Sequence, residues 1–326
     1  MTNQPTHARP LRAGDKVQLT GPKGRMHTII LQPGAEFHTN RGAIRHDDLI
    51  GGPDGTVVQT AQGTRWLALR PRLVDEVLSM PRGAAIIYPK DAVRILAAAD
   101  VKPGDHVVEA GVGSGALSLW LLRALAGHGA LHSFERRAEF AEIAEANVSG
   151  HLGGHPDNWT ITLGDLQERL PDQVPDSTAD AVVLDMLAPW ETLDAVTRAL
   201  RPGGVLVVYV ATVPQLSRVC EAVRDTERFT DPAASESIVR DWHVEGLAVR
   251  PEHRMIGHTG FLAVARRLAE GVDLPDLRRR PAKDAYDPED MEIWTPGAVG
   301  QRGVSEKRLR KTVREARRQR ERRVAE

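Results

Sequence analysis

The chain has 326 residues, 41% of them hydrophobic and 27% charged, with a formal net charge of −1. That length accommodates one large domain and a smaller one, and the charge balance gives no global sign of a nucleic-acid binder. The single cysteine, Cys220, excludes an internal disulfide and a cysteine-rich zinc site. It fits a reducing compartment, the opening MTNQPTHARP has no apolar leader, and the longest apolar run, 205–213, is too short to span a bilayer, so a cytoplasmic protein is expected.

Residues 1–75 carry short β-type runs, KVQLT, HTIIL, TVVQT and RWLALR, punctuated by Gly-Pro and Pro-Gly turns, which predicts a small β domain. LVDEVLSM (73–80) reads as a helix, and Asp91 is placed to cap another that runs to about Ala99. From 106 onward strands and helices alternate. HVVEA is a strand, GVGSG a glycine turn, ALSLWLLRALA a helix, LHSFE a strand, and RAEFAEIAEANVSG a helix with a glycine stop. WTITLGD, AVVLD and VLVVYVA read as three further strands, LDAVTRAL and QLSRVCEAV as helices, and 237–268 as two closing strands joined by a loop. The pattern predicts an α/β domain over 76–268, a Rossmann-like parallel sheet with helices on both faces and an antiparallel end. Residues 269–303 lose periodicity and read as a linker. Residues 304–326 form a basic tail with ten Lys/Arg and four Asp/Glu, which leaves a net −7 on the rest of the chain. The tail has too few apolar positions to predict a buried face. It is either a helix or a disordered extension, and its two readings are a solubilising segment and an arm that holds RNA.

The turn EAGVGSGA (109–116) joins a strand to a helix, where glycines admit a ligand close to the backbone and the helix start offers unpaired N–H groups. Gly111, Gly113 and Ala116 also satisfy G-x-G-x-x-A, so a nicotinamide-dependent oxidoreductase is an alternative. Glu109, two residues before the first glycine, and Gly115 favour a different cofactor class. Three more acids fall at successive strand ends: Glu135, Asp165 and Asp185. In an open α/β sheet the ligand crevice lies beyond these ends, so the acids are expected to face one site. His243, His253 and His258 are spaced by ten and five residues, which fits no common metal motif, so no metal is expected.

EAGVGSGAL, YPKD (88–91), LDMLAPWE (184–191), VYVATVPQL (208–216) and GHTGFL (257–262) together resemble the bacterial and archaeal tRNA (adenine-N1)-methyltransferases that act on the T-loop adenine at position 58, in some members also 57. The resemblance covers about residues 10–268, and HTNRG (38–42) and LAVRP (247–251) look closest to its actinobacterial branch. It implies a class I S-adenosylmethionine-dependent fold, tRNA as substrate and a homotetramer. Carried over, it implies that Ser114, Gly115, Ala116 and Leu117 contact the methionine end of the cofactor, that Glu135 holds its ribose and that Asp165 lies at its adenine. Asp185 would hold the target adenine, and Tyr88 would line its pocket. Where the family often has alanine, this chain has Gly260. The D/N-P-P-aromatic motif of amino-group methylases is absent, because Met186, Leu187 and Ala188 separate Asp185 from Pro189. A non-catalytic RNA-binding subunit is the remaining alternative.

Overall fold

The computed structural model describes residues 9–275 and 306–324. Six strands come first: β1 (Lys16–Thr20), β2 (Met26–Ile30), β3 (Glu36–Thr39), β4 (Gly42–Arg45), β5 (Thr56–Gln59) and β6 (Arg65–Leu69). They form a four-stranded sheet in the order β2-β1-β6-β5 and a separate β3–β4 hairpin. Leu11, Val17, Leu19, Leu31, Ile44 and Trp66 fill the core of this region. The ion pair of Lys16 with Glu76, at 2.6 Å and largely buried, ties β1 to the helix that follows.

That helix is α1 (Leu73–Ser79), and α2 (Pro89–Ala99) comes next. The alternating part contains β7 (His106–Ala110), α3 (Ala116–Leu125), β8 (Ala130–Glu135), α4 (Ala138–Leu152), β9 (Trp159–Leu163), α5 (Leu166–Gln173), β10 (Ala179–Asp185), α6 (Leu193–Ala199), β11 (Leu200–Val210) and α7 (Val213–Asp225). The chain continues through β12 (Ala233–Glu236), β13 (Trp242–Glu245), β14 (Ala248–Pro251) and β15 (Phe261–Arg266), and the last described element is α8 (Glu306–Val324).

The main sheet has seven strands in the order β12-β15-β11-β10-β7-β8-β9. Strands β7 to β11 are mutually parallel, and β15 is antiparallel to both of its neighbours. Successive side chains of β10 enter opposite cores: Ala181 and Val183 pack with α1, α2, α3 and α4, and Val182 and Leu184 with α5, α6 and α7. Both faces are thus covered, which explains why this strand reads as an unbroken apolar run. Burying each such Val or Leu contributes about 1.5–3 kcal/mol.

Several elements differ from the sequence reading. Helix α2 starts at Pro89 with Tyr88 as N-cap, so Asp91 is not a cap but a buried residue in the first turn. A proline at the first helical position needs no N–H partner, which moves the start forward. Helix α4 runs through Gly150 and stops on Gly153 at φ 86°. The closing antiparallel strands are β12 and β15, and the stretch between them holds the β13–β14 hairpin. Most of the expected linker, 269–303, lies outside the described residues. The basic tail forms α8, which packs along α4. Leu309 and Phe140 both lie against Gly83, Arg317 pairs with Glu142, and Thr312 and Ala316 are buried. Small side chains there allow close approach, so few large apolar residues are needed. Among the described residues no helix is long and apolar enough to cross a membrane.

Candidate active site

The site is built at the carboxyl ends of β7, β8 and β10. Strand β7 runs into the glycine turn, which α3 closes. Gly111, Gly113 and Gly115 all have positive φ, at 86°, 57° and 79°, but for different reasons. A Cβ on Gly111 would sit 1.8 Å from the Asp185 carbonyl oxygen, and one on Gly115 would press on Val148 and Ala144 at 3.0–3.2 Å. A Cβ on Gly113 would meet only the Gly111 carbonyl, at 4.0 Å. The first and third glycines therefore allow the turn to pack, and the second leaves open space beside it. Ser114 is buried, and its hydroxyl has no hydrogen-bond partner among the described residues. Its carbonyl accepts from Asn147 Nδ2 at 2.9 Å, and the same amide donates to Pro81 O at 2.8 Å. Ala116 and Leu117 are buried at the start of α3, so what they offer a ligand is first-turn backbone N–H.

Glu109, Glu135 and Asp185 lie close enough to repel one another. Glu109 is fully buried. One carboxylate oxygen accepts from Ser118 Oγ at 2.7 Å and Ser133 Oγ at 2.8 Å, and the other has no partner among the described residues. Burial pushes its pKa up to about 7, with the Glu135 charge adding to the rise and the two serines opposing it. Asp185 is recessed but partly open, and burial, then Glu109 and Glu135, push it up to about 7. Glu135 accepts from the Gly113 N–H at 3.1 Å and the Arg137 N–H at 3.1 Å, which locks its carboxylate across the turn. Asp165 stands apart. It is at the start of α5, half-buried, and paired with Arg136 at 2.7 Å.

Tyr209 is the register partner of Asp185 on β11, and Tyr88 lies near Tyr209. Burial raises the Tyr209 phenol, which bonds Thr259 and has Asp91, Asp185 and Tyr88 as neighbours. Sequence reasoning missed Tyr209, because inside VLVVYV it reads as one more apolar strand residue. It also missed what links YPKD to GHTGFL. Lys90 Nζ donates to Asp91 at 2.8 Å, Thr259 Oγ1 at 2.6 Å and Ser237 O at 2.7 Å, and Thr259 Oγ1 donates to Asp91 at 2.6 Å. This buried cluster ties α2 to the segment before β15. Gly260 follows directly, and a Cβ there would lie 2.4 Å from the Tyr209 ring. Trp190 packs against the core beside α7, with the Arg218 guanidinium 3.9 Å over its ring. His258 bonds Glu236 and Ala211 O, and no group of three metal-ligating side chains occurs among the described residues.

The open space at Gly113, the unpartnered Ser114 hydroxyl and the first-turn amides fit a ligand with a carboxylate end. The convergent carboxylates fit one that also carries positive charge and ribose hydroxyls. S-Adenosylmethionine has all of these.

Comparison with known proteins agrees. Residues 10–58 match the TrmI-like N-terminal family and residues 67–250 the tRNA methyltransferase complex GCD14 subunit family. The tRNA (adenine(58)-N(1))-methyltransferase TrmI of Thermus thermophilus is 34% identical over 249 residues, 75% of this chain and 94% of that protein. A SAM-dependent O-methyltransferase structure from Thermotoga maritima superposes with a TM-score of 0.74 at 30% identity, covering 81% of this chain and 96% of that one. The tRNA (m1A58) methyltransferase TrmI of Aquifex aeolicus does so at 0.69 and 25%, covering 80% and 100%. These matches give the oxidoreductase alternative no support. The chain belongs to the TrmI family of S-adenosylmethionine-dependent tRNA (adenine-N1)-methyltransferases.

Proposed function

We propose that this chain methylates N1 of the T-loop adenine at position 58 of tRNA, with Asp185 as the catalytic carboxylate. The observation that carries the reading is the position of Asp185 at the end of β10, against the glycine turn on one side and Tyr209 on the other. When bound, S-adenosylmethionine supplies an activated methyl group on a sulfonium sulfur. Methylation at N1 leaves the adenine with a positive charge that spreads to N6. Asp185 accepts from N6–H and stabilises that charge, while Tyr88 and Tyr209 wall the ring and hold N1 in line. Glu135 would accept from the ribose hydroxyls, and the Ser114–Leu117 backbone would hold the methionine end. Asp165, half-buried and paired with Arg136, would serve the cofactor adenine. Glu109 accepts from Ser118 and Ser133 behind the turn and would add negative charge that favours a positively charged cofactor.

The chain also assembles, on this reading, as a homotetramer. In support, the β13–β14 hairpin and its flanks leave Trp242, Val244, Leu247, Val249 and Ile256 exposed, Leu247 completely. Exposed apolar surface of this kind fits a protein–protein contact, which this reading assigns to another copy of the chain. Light scattering at micromolar concentration should report the tetramer, and a fully active monomer would exclude it.

The functional test is mass spectrometry of nucleosides from an unmodified tRNA transcript incubated with protein and labelled S-adenosylmethionine. The expected product is labelled 1-methyladenosine. Label found only in N6-methyladenosine, or no label at all, refutes the assignment.

A further inference from the structure

Helix α8 lies beyond the residues matched by either family model. Its docked side is Leu309, Thr312 and Ala316, set against Gly83, Phe140 and α4. Lys307, Lys311, Arg314 and Arg318 are all exposed. Their spacing of four, three and four residues places them within about 60° of one another around the helix, on the side away from Thr312 and Ala316. Glu306 and Glu315 fall off this stripe, and Glu321 ends it. At 1.5 Å per residue the four cations extend over about 16 Å.

The stripe is fixed relative to the site. Leu309, in its first turn, and Phe140 both lie against Gly83, and the Arg137 guanidinium sits 3.8 Å over the Phe140 ring. The Arg137 N–H in turn bonds Glu135 in the crevice. The first turn of α8 is therefore packed near the start of α4, the helix whose N-terminal flank carries the exposed Arg136 and Arg137. Outside residues 304–326 the chain carries a net −7, so attraction for a polyanion has to come from local patches of this kind.

We propose that Lys307, Lys311, Arg314 and Arg318 form a prefixed phosphate-binding ridge that holds the RNA backbone while the target base enters the crevice. The inference rests on the tRNA reading above. Because the helix is docked, the ridge is rigid and adds little ordering cost when RNA binds. Phosphate contacts position an RNA without specifying its sequence, so the ridge serves all tRNA substrates alike.

The test replaces all four residues with glutamine, which keeps helix propensity and leaves the docked side untouched. The readout is the slope of log affinity against log salt for unmodified tRNA. Each phosphate contact contributes about 0.7–0.9 to that slope, so the variant should be flatter by about three units. An unrelated RNA hairpin should show the same flattening, and the melting temperature should match that of the parent. An unchanged slope, including one in which the exposed cations prove to serve a protein partner, overturns the proposal. The parent's formation of 1-methyladenosine is measured in parallel. An active parent with an unchanged variant slope refutes the ridge alone, and an inactive parent refutes the functional reading.

Discussion

The carbonyl of Asp185 fills the space that a side chain on Gly111 would need, at 1.8 Å from an added Cβ. The backbone that presents the Asp185 carboxylate is thus in direct contact with the glycine turn. Gly111→Ala meets both a backbone clash and a left-handed φ of 86°. Its melting temperature should drop by about 10 °C, the effect of several kcal/mol in a domain of this size. Differential scanning calorimetry checks this, and an unchanged transition would mean that the two segments separate easily.

Asp185→Ala should lower kcat by about a hundredfold or more, the scale of losing a key electrostatic partner in the transition state. Binding of S-adenosylhomocysteine, followed by calorimetry, should change far less. Near-normal turnover at saturating tRNA would remove Asp185 from the mechanism.

The same carboxylate makes stability depend on pH. Its folded pKa is raised to about 7, so between about pH 4 and 7 the folded state holds more protons than the unfolded chain. Stability therefore falls as pH rises through this window. Asp185→Asn removes the contribution and should be the more stable protein at pH 8, by roughly 1–2 kcal/mol once partial solvent access is allowed for. At pH 4 the two should coincide. Urea unfolding at both values decides, and parallel pH profiles for parent and variant would contradict the assignment.

Glu135→Ala should act on the cofactor instead. It removes charged hydrogen bonds of about 1.5–3 kcal/mol, or roughly tenfold or more in affinity. Calorimetry should register that loss while tRNA affinity holds.

In Gly260→Ala the added Cβ would lie 2.4 Å from the Tyr209 ring. The ring has to shift, and with it the wall proposed for the target base. Activity should fall about tenfold, a misplacement effect, with cofactor affinity intact. Parent-like kinetics would show that Tyr209 moves aside without consequence.

The parallel strands were legible because their two covered faces produce continuous apolar runs, and the glycine turn because its residue types are sterically forced. Helix α5 was not legible. LQERLPDQ anchors only Leu166 and Leu170 and contains Pro171. The β3–β4 hairpin was missed because EFHT and GAIR are too short for alternation to register. The cluster of Lys90, Asp91 and Thr259 joins residues up to 169 positions apart, and local sequence carries no sign of such a pairing. Both motifs were recognised separately, and only the fold shows that they are two halves of one support. Docking of α8 was equally hidden, because its docked side offers one leucine, Leu309, beside the small Thr312 and Ala316.

The order of strands at the antiparallel end also constrains how the chain folds. Strand β12 is bonded only to β15, which is inserted between it and β11. Although β12 is made first, it has no place on the sheet until β15 has arrived. Pairing of β11 with β15 has to close a long loop before any contact rewards it, which slows such steps. The edge is therefore assembled from the inside outward, with β12 the last strand to join and the first to open, and its amide hydrogens exchange ahead of those of β10 and β11.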